Sequence, residues 1–87
     1  MSYIILVKVI WDETNETHIA RHGVSREQVE ALMVSADFAV IALSGTFSLL
    51  GEGTVAGRFL RIIFMESVPG EVYPLTAYPV ARRRSRT

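Results

Sequence analysis

The sequence predicts a single small α+β domain: an N-terminal strand, two packed helices and then an antiparallel sheet of three or four strands. Three observations predict it. A β-branched apolar run opens the chain, two capped helical segments follow, and apolar runs separated by glycine-containing turns fill the second half. This order places the helices on one face of the sheet. A chain of 87 residues has room for one domain only, spanning 1–87.

The amino-acid composition argues against several classes of protein. The chain has no cysteine, which excludes a disulfide framework and a thiolate metal site. Hydrophobic residues make up 49% of it, which favours an apolar surface meant for a partner over a core that absorbs them all. The apolar stretch from Tyr3 to Ile10 is shorter than the roughly 18–20 residues of a membrane span, and no basic residue precedes it as in a signal peptide. We therefore expect a cytoplasmic protein.

Charge is unevenly distributed along a chain of zero net charge. Residues 1–52 carry seven acidic and three basic side chains, a net charge of −4, and residues 53–87 carry two acidic and six basic ones, a net charge of +4. An anion-binding surface would therefore belong to the C-terminal part. Residues 82–87 predict a disordered basic tail, which either binds a nucleic-acid backbone or only adds solubilising charge.

Helix signals are clear in the first half. Asp12 follows the predicted strand Tyr3–Trp11 and fits an N-cap, and the helix should run to about His22, where Gly23 can end it. Ser25 and Gln28 form a capping box for a second helix. Its apolar stripe has helical spacing and consists of Val29, Leu32, Met33 and Ala36. The short joint predicts that the two helices pack together.

The second half reads as strands over 38–43, 47–50, 58–67 and 72–78, with a looser segment at 51–53. Pro69-Gly70 predicts a hairpin, and Pro74 inside the last strand predicts an edge position or a bulge. Side chains alternate along a strand, so Arg58 and Arg61 lie on opposite faces and one of them faces the helices unless it sits at the rim of the sheet. Two interpretations are open for such an arginine: an ion pair with an N-terminal acid, or contact with a phosphate.

Other candidate residues carry weaker signals. His18 and His22 stand one helical turn apart, but Ile19 occupies the position of the glutamate in the zinc-protease motif. We therefore expect no metal and no cofactor, and interpret both histidines as polar residues of a helix end. Tyr73 and Tyr78 can stack on bases, take part in proton transfer, or be ordinary strand residues.

The order of several short motifs resembles the BrnT family of bacterial toxin–antitoxin pairs. That family shows a Trp-Asp pair, a His-Gly-Val/Ile segment, a Gly-Arg strand start and a Ser/Thr-Ala-Arg strand. The matching residues are Trp11-Asp12, His18-Ile19, His22-Gly23-Val24, Gly57-Arg58 and Leu75-Thr76-Ala77. The resemblance covers residues 9 to about 84, and Tyr78 stands where the family has its arginine.

The resemblance implies a RelE-like fold, metal-independent cleavage of RNA and a cognate antitoxin encoded by an adjacent gene. It implies catalytic roles for Arg58 and His22. RNA-binding roles would fall to Arg61, Tyr78, Arg82, Arg83 and Arg84. A homodimer is also compatible with it. The alternative is a non-catalytic protein-binding domain on the same fold, which acts through a partner protein.

Overall fold

The computed structural model describes residues 7–45 and 47–81. It shows a compact α+β fold, as the sequence predicts. The elements are β1 (Lys8–Val9), α1 (Glu13–Ala20), α2 (Arg26–Met33), β2 (Ala39–Leu43), β3 (Leu49–Val55), β4 (Arg58–Val68) and β5 (Glu71–Pro79). Residues 3–6 of the predicted first strand, and the predicted tail at 82–87, lie outside the described residues. None of the helices in the described ranges is long and apolar enough to cross a membrane.

One sheet of five strands has the order β1-β5-β4-β3-β2. It is larger than the predicted three or four strands because β1 joins it, pairing in parallel with the start of β5. The other neighbouring strands are antiparallel. Short turns connect the antiparallel strands. The parallel strands β1 and β5 are instead separated in sequence by both helices and the other three strands, since a parallel pair requires a long crossover connection.

Both helices cover the same face of this sheet, α1 over β5 and α2 over β3. Leu60, Ile62 and Phe64 alternate along β4 and are buried on this face. The helices contribute buried apolar side chains of their own to the same core, namely Ile19, Val29 and Leu32. The core therefore lies between β4 and the helix layer.

Reciprocal side-chain hydrogen bonds begin both helices. Asp12 caps α1 as predicted: its side chain accepts from the backbone N–H of Asn15, and the Asn15 side chain accepts from the backbone N–H of Asp12. Ser25 and Gln28 form the predicted capping box of α2. The first helix ends at Ala20, before the predicted end at His22, and the turn that follows carries Gly23 at the positive φ of 78°.

The predicted stripe of the second helix holds for three of its four residues. Val29 and Leu32 are buried and Met33 packs against the core. Ala36 is exposed, because α2 ends at Met33 and Ala36 belongs to the connection that follows. This part of the prediction was wrong.

Strand β3 starts at Leu49 and runs through the segment 51–53 that the glycines led us to interpret as loose. The glycines serve close packing instead. A Cβ at Gly51 would lie 2.6 Å from Cζ of Phe38, and one at Gly53 would lie 3.1 Å from Cδ1 of Leu32. The aromatic ring and the helix can reach the sheet only where the strand carries no side chain.

The strand β5 accommodates its proline by a bulge. Phe64 pairs with Pro74 and Ile63 with Thr76, which leaves Leu75 as the extra residue of β5. Both predicted solutions apply: the bulge is present, and among the described strands β1 pairs only with Glu71 and Val72, so Pro74 lies beyond the end of β1 on that side of β5. The preceding hairpin turn carries Gly70 at a φ of 87°, as expected for that turn.

Asp37 ties the connection after α2 to β3. Its carboxylate accepts hydrogen bonds from the hydroxyl of Ser35 (2.6 Å), the backbone N–H of Thr54 (2.9 Å) and the hydroxyl of Thr54 (2.7 Å). These donors favour the charged form, with Ser35 the largest cause, and hold the pKa of Asp37 well below its ordinary value.

Trp11 joins the two helices on their outer side. Its indole N–H donates to Oε2 of Glu30 at 2.9 Å, and the guanidinium of Arg26 lies 5.4 Å from the centre of the ring. Arg26 also forms an ion pair with Glu16 at 3.7 Å. The ring therefore contacts side chains of α2, and α1 is linked to it through the Glu16–Arg26 ion pair.

We predict that Asn15→Ala lowers the free energy of unfolding by about 1–3 kcal/mol. Asn15 is buried, and its side-chain N–H also donates to the carbonyl of Ile10 at 2.9 Å, so alanine leaves polar backbone groups without partners. Urea denaturation measures the change. Thr14→Ala, at an exposed position of the same turn, is the control. Equal losses for the two variants would contradict the role of the Asn15 side chain.

We also predict that Asp37→Asn lowers stability at neutral pH and weakens its dependence on acid pH. A carboxyl whose pKa is depressed by folding stabilises the fold above its unfolded pKa, and the contribution is lost as pH falls below about 4 towards the folded pKa. Unfolding curves between neutral and strongly acid pH test this. The same dependence of stability on acid pH in wild type and Asp37→Asn would refute the prediction.

Candidate functional site

Three segments meet at one end of the sheet: the turn between α1 and α2, the start of β4 and the end of β5. The backbone N–H of Val80 donates to the carbonyl of Phe59 at 2.9 Å, which keeps the end of β5 on the start of β4. The turn between the helices reaches the same place through Gly23. Most sequence-predicted site residues lie on these segments.

Arg58 lies at the rim of the sheet, on the face that the helices cover. It is half-buried, and its Nη1 donates to the carbonyl oxygen of Gly23 at 3.3 Å. Within residues 7–45 and 47–81 no carboxylate forms an ion pair with it. Of the two interpretations left open by the sequence, the ion pair is not the one found for Arg58, and its positive charge is not neutralised by a described residue.

Arg61 lies on the opposite face and is paired. Its Nε donates to Oε2 of Glu52 at 3.0 Å, across the β3–β4 register in which the two residues face each other. The hydrogen bond that Arg61 donates to Glu52 is the main cause that raises the pKa of Arg61, and Tyr78 adds a smaller contribution of the same sign. The ion-pair interpretation therefore holds for Arg61.

His22 and Tyr78 connect the two arginines around the end of β5. The ring centres of His22 and Tyr78 lie 6.2 Å apart, and Tyr78 faces Arg61 in the β4–β5 register. His22 precedes Gly23, whose carbonyl accepts the hydrogen bond of Arg58. We call these four residues (His22, Arg58, Arg61 and Tyr78) the β5-end cluster.

The cluster surrounds the end of β5 and does not form one groove under the helices, since Arg58 and Arg61 lie on different faces of β4. A mixed-charge cleft on the open face is lined by Asp37, Glu52, Arg61 and Ala81, among others. The covalent chain leads from Ala81 directly into Arg82. The predicted RNA-binding residues Arg82, Arg83 and Arg84 lie outside the described residues.

His18 lies beside His22 of the cluster, four residues earlier in the chain. Its ring centre is 5.4 Å from that of His22, in an edge-on arrangement, and the side chain lines a cleft along α1. This cleft measures about 450 Å³ and is also lined by Arg21, Tyr73 and Leu75. The described histidines and carboxylates include no group of three that could hold a metal ion.

A pair at the other end of this cleft was missed by sequence reasoning. The hydroxyl of Tyr73 donates to Oδ2 of Asp12 at 2.7 Å. The bond raises the pKa of Tyr73. The pKa of Asp12 is lowered, mainly by the backbone N–H of Asn15 and then by Tyr73. No local signal could have joined residues 61 positions apart.

Compared with known proteins, the chain matches no protein-family model, no curated protein and no solved structure.

Proposed function

We propose that this chain is an RNA-cleaving toxin of the BrnT type, active without a metal ion or cofactor and held in check by an antitoxin protein. The observation that carries the proposal is the β5-end cluster. Its four residues, which span the 56 positions from His22 to Tyr78, lie around one strand end. A histidine and a tyrosine near two arginines, one on each face of β4, suit the handling of a phosphodiester.

The reaction needs no group beyond these side chains. The 2′ oxygen of a ribose forms a bond to the adjacent phosphorus, and the bond from phosphorus to the 5′ oxygen breaks. The imidazole of the exposed His22 can take up the 2′ proton as general base, and the resulting imidazolium can give that proton to the 5′ oxygen as it leaves. Arg58 would stabilise the negative charge that builds on the phosphate oxygens, because no described carboxylate neutralises it.

Tyr78 and Arg61 would hold the RNA beside the reacting phosphate. An aromatic ring offers a stacking surface for a base, and a single-stranded substrate can present unstacked bases to it. Arg61 is engaged by Glu52, so its contact with a phosphate would require exchange of one partner for another. Arg82, Arg83 and Arg84 would add backbone contacts.

A second candidate is the non-catalytic protein-binding domain. The observation that favours it is the exposed apolar surface of β2, which serves no purpose in phosphate chemistry. The paired state of Arg61 points the same way. A chain that binds no RNA at low salt and leaves cell growth unaffected would favour this candidate over the toxin.

We predict that the purified chain cleaves single-stranded RNA in the presence of a chelator and leaves 2′,3′-cyclic phosphate ends. Arg58→Ala should slow cleavage by about 10²–10³-fold, since one charge-assisted contact to the transition state is lost. His22→Ala should slow it by about 10²-fold or more. Gel analysis of a labelled oligonucleotide and growth after induced expression give the two readouts.

Lys8→Ala is the matched control. It also removes one positive charge, but from an exposed position in β1, which pairs with the start of β5 at the other end of the sheet. Circular dichroism confirms that each variant is folded. The proposal fails if the wild type neither cleaves RNA nor slows growth, or if Lys8→Ala is as inactive as Arg58→Ala.

We further predict that Glu52→Gln tightens the binding of single-stranded RNA. The neutral amide releases Arg61 for a phosphate, so log K should fall more steeply with log salt, by about 0.7 for one added contact. Fluorescence anisotropy at several salt concentrations measures both quantities. Glu71→Gln makes the same change of charge at the far end of β5, and equal effects of the two variants would show that only net charge matters.

A further inference from the structure

The strand β2 is exposed over its whole length. It lies at the edge of the sheet and pairs with β3 alone among the described strands. All five residues of Ala39–Leu43 are exposed and apolar, and none carries a charge. Natural edge strands usually carry charges or prolines that prevent pairing with another chain, and β2 has neither.

Apolar surface is concentrated around this strand. Four large side chains stand out, with exposed fractions of 49% for Val40, 46% for Ile41, 75% for Leu43 and 82% for Phe47. The helices do not shield it, since α2 packs over β3 and α1 over β5. The patch lies at the edge of the sheet that β2 forms, with β3 and β4 between it and β5. Its first residue, Ala39, lines the same cleft as Arg61 of the β5-end cluster.

We infer that β2 pairs antiparallel with β2 of a second copy of this chain, forming a two-fold dimer with a continuous ten-stranded sheet. The two-fold axis would lie between the two β2 strands, level with their middle. Each residue would then face a residue of the same short apolar run in the other copy. Such pairing places no like charges opposite each other, because the strand has none. The whole chain has a formal net charge of zero, so two copies do not repel each other.

The exposed apolar area of the patch reaches the lower limit of the area that specific protein interfaces bury. At roughly 150–200 Å² for a fully exposed large side chain, the four exposed fractions amount to about 450 Å² per copy. Two copies would bury about 900 Å² of these side chains, and the strand backbone with Ala39 and Ala42 brings the total to the ~1,000 Å² at which specific interfaces begin. An interface at this lower limit belongs to the class of weak, transient contacts.

A bulge at Ile41 shapes the pairing. Val40 pairs with Gly51 and Ala42 with Leu50, so Ile41 is the extra residue of β2. Bulges bend an edge and shorten the stretch that can accept a partner. A pairing about a two-fold axis closes after two copies, because each copy uses its β2 edge once.

Sedimentation equilibrium tests the dimer. From about 5 to about 200 µM, the wild-type mass should rise towards twice the 9.7 kDa of one chain. Leu43→Lys should remain at one chain mass throughout, because a buried lysine at the paired edge is costly. Val68→Lys is the matched control: Val68 is 51% exposed on β4, two strands away, and this variant should dimerise like the wild type.

Three results of this experiment would overturn the dimer. A wild type that stays at one chain mass overturns the dimer, whether or not another protein binds the edge, and so does a Leu43→Lys variant that dimerises normally. A mass that grows without limit also overturns the closed pair. Should Leu43→Lys fail to fold, Phe47→Lys carries the same test from a more exposed position. RNA cleavage is measured independently, so failure of the dimer and failure of the proposed function are distinguishable.

Discussion

Leu60, Ile62 and Phe64 project from β4 into the layer formed by the two helices and are almost wholly excluded from solvent. Burial of side chains of this size stabilises a fold by roughly 1.5–3 kcal/mol each. Each helix has only eight residues, and helices so short are not stable alone in water. Contact with β4 therefore determines where the helices lie. It also determines where the turn between them meets Arg58.

Signals confined to a few neighbouring residues predicted their part of the structure well. The caps at Asp12 and Ser25, the turn at Gly70 and the irregularity at Pro74 each depend on chemistry within about four residues. The course of β3 was mispredicted because the reason for Gly51 lies on another segment, in the ring of Phe38. The place of β1 was equally hidden, since a strand does not encode locally which edge it joins.

The candidate site likewise combines local features, which the sequence predicted, with contacts between distant segments, which it did not. The alternation of side chains along β4 predicted that Arg58 and Arg61 lie on opposite faces of the sheet, and the structure confirms it. The partner of Arg61 could not be chosen among seven N-terminal acids without the register that brings Glu52 opposite it. The proximity of His22 to Tyr78 depends on α1 lying along β5, which is a property of the packed domain.

Trp11 is the only tryptophan of the chain, and it sits where the two helices meet. Its indole is bonded to Glu30 and lies beneath the guanidinium of Arg26, so all tryptophan emission originates at that junction. The Glu16–Arg26 ion pair connects α1 to the guanidinium over the ring, so a movement of α1 relative to α2 changes the surroundings of the indole. Tryptophan fluorescence therefore reports how the two helices are placed relative to each other.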